Sequence, residues 1–230
     1  MQKASREASR RHEFTKKPIF VECKVKSSVS PFRFNLLGTP RLERDAETLT
    51  IPRRKALALL AYLAVTGSPH SREALATLLW PEYDQSRALA NLRRELSRLK
   101  DALGEQALTV DRLQVTLSSQ AGLWLDVTAF QAYLREGLRH THSQNNYCSE
   151  CLEAFQNAVS MYQGDFMAGF SLPDAPEFDE WQFFQAEELR RSLTEALKRL
   201  IELHNAQGEY AQAIPYARRW LSLDSLHEPA

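Results

Sequence analysis

Arg87, Asn91, Arg94 and Arg98 recur at helical spacing within SRALANLRRELSRLKDALG, residues 86–104. At about 100° per residue they fall on one side of a helix, and Leu89, Leu92, Leu96, Leu99 and Leu103 fall on the other. A leucine stripe is what any amphipathic helix turns to a core, and by itself it carries no chemistry. A solvated face usually mixes signs, so that acids and bases pair four residues apart. Here the polar stripe is Arg, Asn, Arg, Arg, with Glu95 off to its side and an acid returning only at Asp101. Arg and Asn are side chains that reach phosphates and base edges. The alternative is an Arg-rich solvated helix without a ligand.

A second constellation lies in HTHSQNNYCSEC, where His140, His142, Cys148 and Cys151 could supply four ligands to a structural zinc ion. Four protein ligands would close the coordination shell and leave no catalytic position. Against it, Cys151 falls in a helical run where it can pack as a small apolar side chain. Trp181, Phe183, Phe184 and Tyr210 could line a peptide groove, but aromatics at such spacing are read first as interhelical core. No glycine-rich phosphate loop appears among the 8 glycines, and no Ser/His/Asp arrangement stands out. The expectation is a chain that is not an enzyme and requires no cofactor.

The elements that must position these residues follow from punctuation and periodicity. Residues 1–31 hold 8 Lys/Arg against 3 Asp/Glu and show no sustained periodicity, so they read as a flexible basic arm or an over-long start. Residues 32–120 hold 13 against 10, and residues 121–230 hold 8 against 16. A chain basic in its first half and acidic in its second is expected to be two modules, the first suited to a polyanion. FRFNLLG alternates Phe32, Phe34 and Leu36, and the turns at Gly38–Pro40 and RDAE complete a three-stranded antiparallel meander. RRKALALLAYLAVTG is apolar nearly all round and predicts a buried helix ended by Gly67. Ser71 caps a second helix that ends before Pro81, and the arginine-striped helix is the third. ALTVDRLQVTLSS alternates around DR and predicts a hairpin, with Arg112 at its tip.

The order three strands, three helices, hairpin over residues 32–120 predicts an α+β winged helix-turn-helix whose third helix enters the major groove. The DNA-contacting set is then Arg87, Asn91, Arg94, Arg98 and Arg112. From Ala121 the chain reads as helical throughout, with Asp126 capping the first helix and a long helix stopped at Gly208. Ala206, Gly208, Tyr210 and Ala213 stand where a tetratricopeptide repeat places small and aromatic packing residues, predicting an all-α domain over 121–230 that is a truncated repeat array. No apolar run approaches the roughly 18 residues of a membrane span, and the amino terminus lacks a secretory core, so the cytoplasm is the expected location.

The stretches IPRRKALALLAYLAVTG, SREALATLLWPE, ANLRRELSRLKDALG, LWLDVTAF, YQGDFMAGFSLPDAPEFDEWQFFQAEELRR and GEYAQAIPYARRWLSLDSLHEPA resemble the SARP family of transcriptional activators. That resemblance, from about Phe32 onward, implies an OmpR-type winged helix followed by a bacterial transcriptional activator domain. It implies an activator that binds direct repeats in double-stranded DNA near promoters and recruits RNA polymerase; on the DNA-binding reading the helical half mediates self-association or polymerase contact. It places recognition on Arg87, Asn91, Arg94 and Arg98, and a polymerase contact on the short loop Pro81–Gln85. Larger relatives continue into an ATPase module and further repeats. The alternative reading is a helical protein-interaction scaffold whose winged helix does not bind DNA.

Overall fold

The computed structural model describes residues 32–139 and 148–223. The candidate zinc ligands His140 and His142 and the segment 1–31 lie outside the described residues. The described residues begin with the expected meander: β1 (Phe32–Asn35), β2 (Arg41–Arg44) and β3 (Glu47–Thr48), antiparallel in turn. Phe32, Phe34 and Leu42 point into the core from one face, as period-two alternation requires. Asp45 and Ala46 form the tight β2–β3 turn with positive φ.

Three helices follow, α1 (Arg54–Thr66), α2 (Arg72–Leu79) and α3 (Gln85–Leu103). Helix α1 is the central one: Ala58, Leu59, Leu60, Ala61 and Leu63 are fully enclosed. Gly67 ends it at φ +61°, in the left-handed region, and its N–H returns to the carbonyl of Leu63. The Ser71 side chain caps α2 by accepting from Ala74 N at 3.0 Å. Asp84 does the same for α3, accepting from Arg87 N at 3.1 Å.

Before α2, the two-residue β4 (His70–Ser71) joins the hairpin of β5 (Leu108–Val110) and β6 (Gln114–Leu117) to make a three-stranded sheet ordered β4-β6-β5. A further backbone bond, from Arg72 N to Leu113 O at 2.8 Å, fixes the hairpin to the start of α2.

The expectation of helix throughout from Ala121 is corrected here. Leu123–Leu125 form β7, which runs parallel to β1 and becomes the edge of the first sheet, ordered β3-β2-β1-β7. Gly122, at φ +58°, makes the turn into this strand. Three apolar residues carry no readable period, and their pairing partner lies some ninety residues earlier, so only tertiary structure reveals the strand.

The acidic part then supplies α4 (Asp126–Arg139), α5 (Ser149–Met161), α6 (Pro176–Ala206) and α7 (Tyr210–Leu223). Helices α4 and α5 pack so closely that a Cβ on Gly137 would lie 2.8 Å from the Phe155 ring. The turn between α6 and α7 uses Gly208 at φ +73°. Of the four repeat-like positions only Ala213 is buried; Ala206, Gly208 and Tyr210 are exposed, and Gly208 serves the turn rather than the packing.

The loop joining α5 to α6 wraps back on the first sheet. Met167 N donates to Leu36 O at 2.7 Å and Gly38 N donates to Asp165 O at 3.1 Å. One apolar core therefore runs from the meander through α1–α3 into the helical part, crossing the line expected at residue 120. Among the described residues, no helix is long and apolar enough to cross a membrane.

Candidate nucleic-acid interface

Helix α3 buries Ala88, Leu92, Leu96, Leu99 and Leu103, the face expected from the leucine stripe, together with Glu95. Leu89 is only half-buried because it lies toward the hairpin. Of the polar stripe, Arg87 and Arg94 are exposed, and Asn91 and Arg98 are half-buried. Arg93 is also exposed, although on the wheel it lies beside Leu89 and reads as the margin of the apolar side. The signal was available: a second arginine adjacent to Arg94 cannot be accommodated in a core.

Two grooves flank α3. The first, of about 860 Å³, lies between α3, α2 and the hairpin and is lined by Arg72, Arg93, Arg112, Leu89 and Leu113 among others. Arg112 sits on the hairpin tip as expected, and the tip is built without glycine or asparagine. The Asp111 carboxylate accepts from Leu113 N at 2.7 Å and Gln114 N at 2.6 Å, replacing a backbone turn with a side-chain one. The N–H groups of Gln114 and Leu113 hold its carboxyl below the usual carboxylate range. Leu113 itself is 75% exposed, projecting beside Arg112 at the tip.

The second groove, of about 440 Å³, takes Asn91, Arg94 and Arg98 from α3. It meets Arg53, Arg54 and Lys55 at the start of α1 and the segment 171–174 from the helical part. That segment answers some of the charge: Lys55 pairs with Asp174 at 2.7 Å, and Arg54 donates to Ser171 O at 2.6 Å. Arg98 is engaged within its own helix by Glu95, which is 8% exposed. Arg87 stacks its guanidinium 4.2 Å above the Tyr83 ring, which orients it at the first turn of α3. The five sequence-predicted residues therefore divide: Asn91, Arg94 and Arg98 share one groove, Arg112 lines the other with Arg93, and Arg87 stands at the amino end between them.

Cys148 and Cys151 meet at the start of α5, where Cys148 Sγ accepts from Cys151 N at 3.4 Å. Cys151 is buried, and burial beside Cys148 pushes its thiol up to about 11. Among the described residues no group of three His, Cys, Asp or Glu side chains is placed to hold a metal ion. Trp181 packs as expected, with ring centroids 4.8 Å from Tyr62 and 5.8 Å from Phe166. Phe183, Phe184 and Tyr210 depart from the core reading and are 60%, 57% and 66% exposed.

Residues 125–230 match the family model described as the bacterial transcriptional activator domain. The chain is 29% identical over 184 residues to the regulatory protein AfsR of Streptomyces coelicolor, covering 79% of this chain and 18% of that protein. It is 26% identical over 192 residues to the AfsR of Streptomyces griseus, covering 83% of this chain and 19% of that protein. The chain thus spans 18–19% of the length of the curated relatives it matches. Its fold is similar to that of a solved structure of Mycobacterium tuberculosis EmbR, in complex with a low affinity phosphopeptide. The TM-score is 0.59 and the identity 18%, covering 87% of this chain and 61% of that one. Residues 125–230 are thus similar to bacterial transcriptional activator domains, and the chain as a whole resembles one part of the AfsR regulatory proteins.

Proposed function

We propose that the chain is a sequence-specific DNA-binding transcriptional activator, with α3 as the recognition helix and the β5–β6 hairpin as the wing of a winged helix-turn-helix. The single observation that carries this reading is the clustering of Arg93 with Arg72 and Arg112 in one open groove, while Arg94 stands exposed beside it. Exposed arginines on a helix and on an adjacent hairpin tip match what a duplex offers: base edges in the major groove and phosphates beside it. Asp111 lies among them, but its carboxylate is occupied by two backbone N–H groups of the turn.

In this reading Arg94 and Asn91 contact bases, Arg93 and Arg87 contact bases or flanking phosphates, and Arg112 contacts phosphate. Direct repeats upstream of promoters are the expected operators, and the helical half serves self-association and contact with RNA polymerase. The test is fluorescence anisotropy of the full chain on a random-sequence duplex pool, titrated with salt, followed by sequencing of the retained duplexes. Salt-sensitive binding that enriches a repeated motif supports the activator. No binding at low salt overturns it and leaves a helical interaction scaffold.

A further inference from the structure

Helix α6 carries an outward face that the DNA-binding reading does not use. Phe183 and Phe184 stand 60% and 57% exposed near the amino-terminal third of the helix, their ring centroids 5.8 Å apart in an edge-to-face arrangement. Glu177, Glu180 and Glu188 are exposed three, four or seven residues from one or other ring, on the same face. No cation among the described residues pairs with these three carboxylates, whereas Glu187 is already taken by Arg190 at 2.7 Å. On the opposite side Phe178, Leu189 and Leu193 anchor the helix in the core, so the exposed pair is not needed to hold α6 in place.

Two adjacent phenylalanines in water forgo apolar burial, and contiguous exposed apolar surface ringed by charge marks an interaction site. The chemistry of the occupant follows from the ring: it must bring cations to three carboxylates and apolar or guanidinium groups to two aromatic faces. One segment of this chain has that composition. Residues 1–31 contain eight Lys/Arg against three Asp/Glu, together with Phe14, Ile19 and Phe20.

We propose that the acidic aromatic face of α6 is the docking surface for the chain's own basic segment, residues 1–31. Its arginines lie over Phe183 and Phe184, and its lysines pair with Glu177, Glu180 and Glu188. Tethering makes weak contacts sufficient, because a linked segment presents itself at an effective concentration on the order of millimolar. The site stands independently of whether α3 reads DNA.

The experiment is zero-length carbodiimide cross-linking of the full chain, which joins a lysine amine to a carboxylate only when the two are in contact. An equal mixture of unlabelled and 15N-labelled protein separates links within one chain from links between two. The expected products join Lys16, Lys17, Lys24 or Lys26 to Glu177, Glu180 or Glu188 within one chain. Their yield falls severalfold in the F183S/F184S double variant, which changes only exposed side chains and leaves the melting temperature unmoved. Links from these lysines spread over other exposed carboxylates overturn the proposal. So do mixed-isotope links, which would assign the face to a second copy, and so does a yield indifferent to the phenylalanines.

Discussion

Asp126, the first residue of α4, lies 2.7 Å from the backbone nitrogen of Leu36 and 2.8 Å from that of Leu37. One buried carboxylate thereby satisfies two N–H groups at the end of β1, and its other oxygen accepts from Val127 N at 2.8 Å. Asp126→Ala strips the partner from two enclosed donors, each costing about 1–3 kcal/mol when left unmade. A loss of about 2–5 kcal/mol in denaturant unfolding is expected, with Asp126→Asn losing less because its carbonyl oxygen still accepts. Burial pushes this carboxyl up more strongly than the N–H groups of Leu37 and Leu36 pull it down. Its folded value lies above the unfolded one, so the folded chain binds the proton more tightly. Stability therefore falls as pH rises from the ordinary carboxylate range through the folded value, then levels off. Chemical denaturation across pH 3–7 should show that slope in the parent and a weaker one in Asp126→Asn.

Arg94 and Arg98 are neighbours on the same helix edge but differ in what they hold. Arg94 is exposed, so Arg94→Ala should weaken operator binding by about 1–3 kcal/mol and leave the melting temperature unchanged. Arg98 neutralises the buried Glu95, whose Oε2 already lacks a hydrogen-bond partner. Arg98→Ala should therefore also lower folding stability, by about 1–3 kcal/mol. Paired anisotropy and thermal-melt measurements separate the two effects.

Arg112 tests a different part of the same reading. Arg112→Ala should weaken binding about equally on operator and random duplexes, and reduce the slope of log affinity against log salt by about one. A loss confined to one base position would instead place Arg112 on a base edge.

The hairpin tip depends on Asp111 in its charged form. The Gln114 and Leu113 N–H groups depress its folded value below the unfolded one. The contribution is present above the unfolded carboxylate range and is lost as pH falls through the folded value. Amide exchange at Leu113 and Gln114 should rise selectively as the carboxyl protonates, and Asp111→Ala should show the fast exchange at every pH.

Gly137 has a steric reason to be glycine. A methyl there meets the Phe155 ring at 2.8 Å, so Gly137→Ala should cost about 1–3 kcal/mol by overpacking. Adding Phe155→Leu should recover part of that loss, a coupling that a double-mutant cycle reads directly.

Much of the fold was legible in local chemistry. The helices announced themselves through 3.6-residue periodicity, Ser71 as a cap and Gly67 as a stop, because those signals depend on neighbours within one turn. The hairpin was legible from alternation, although the Asx turn that replaces its glycine was not, since Asp111 looks like any surface acid until its bonds are seen. The core face of α3 was likewise written in its leucines.

Whatever depends on distant partners was decided by tertiary structure. Leu123–Leu125 became a strand because β1 offered a free edge beside it. Asp126, expected to cap a helix, became the tie between α4 and β1. The arginine stripe appeared as one surface in the sequence, but the packing of segment 171–174 against α1 and of the hairpin against α2 divides it between two grooves and brings in Arg93. Periodicity says which side of a helix is apolar. It does not say what stands beside the polar side, and that neighbour determines which arginines are free to meet a ligand.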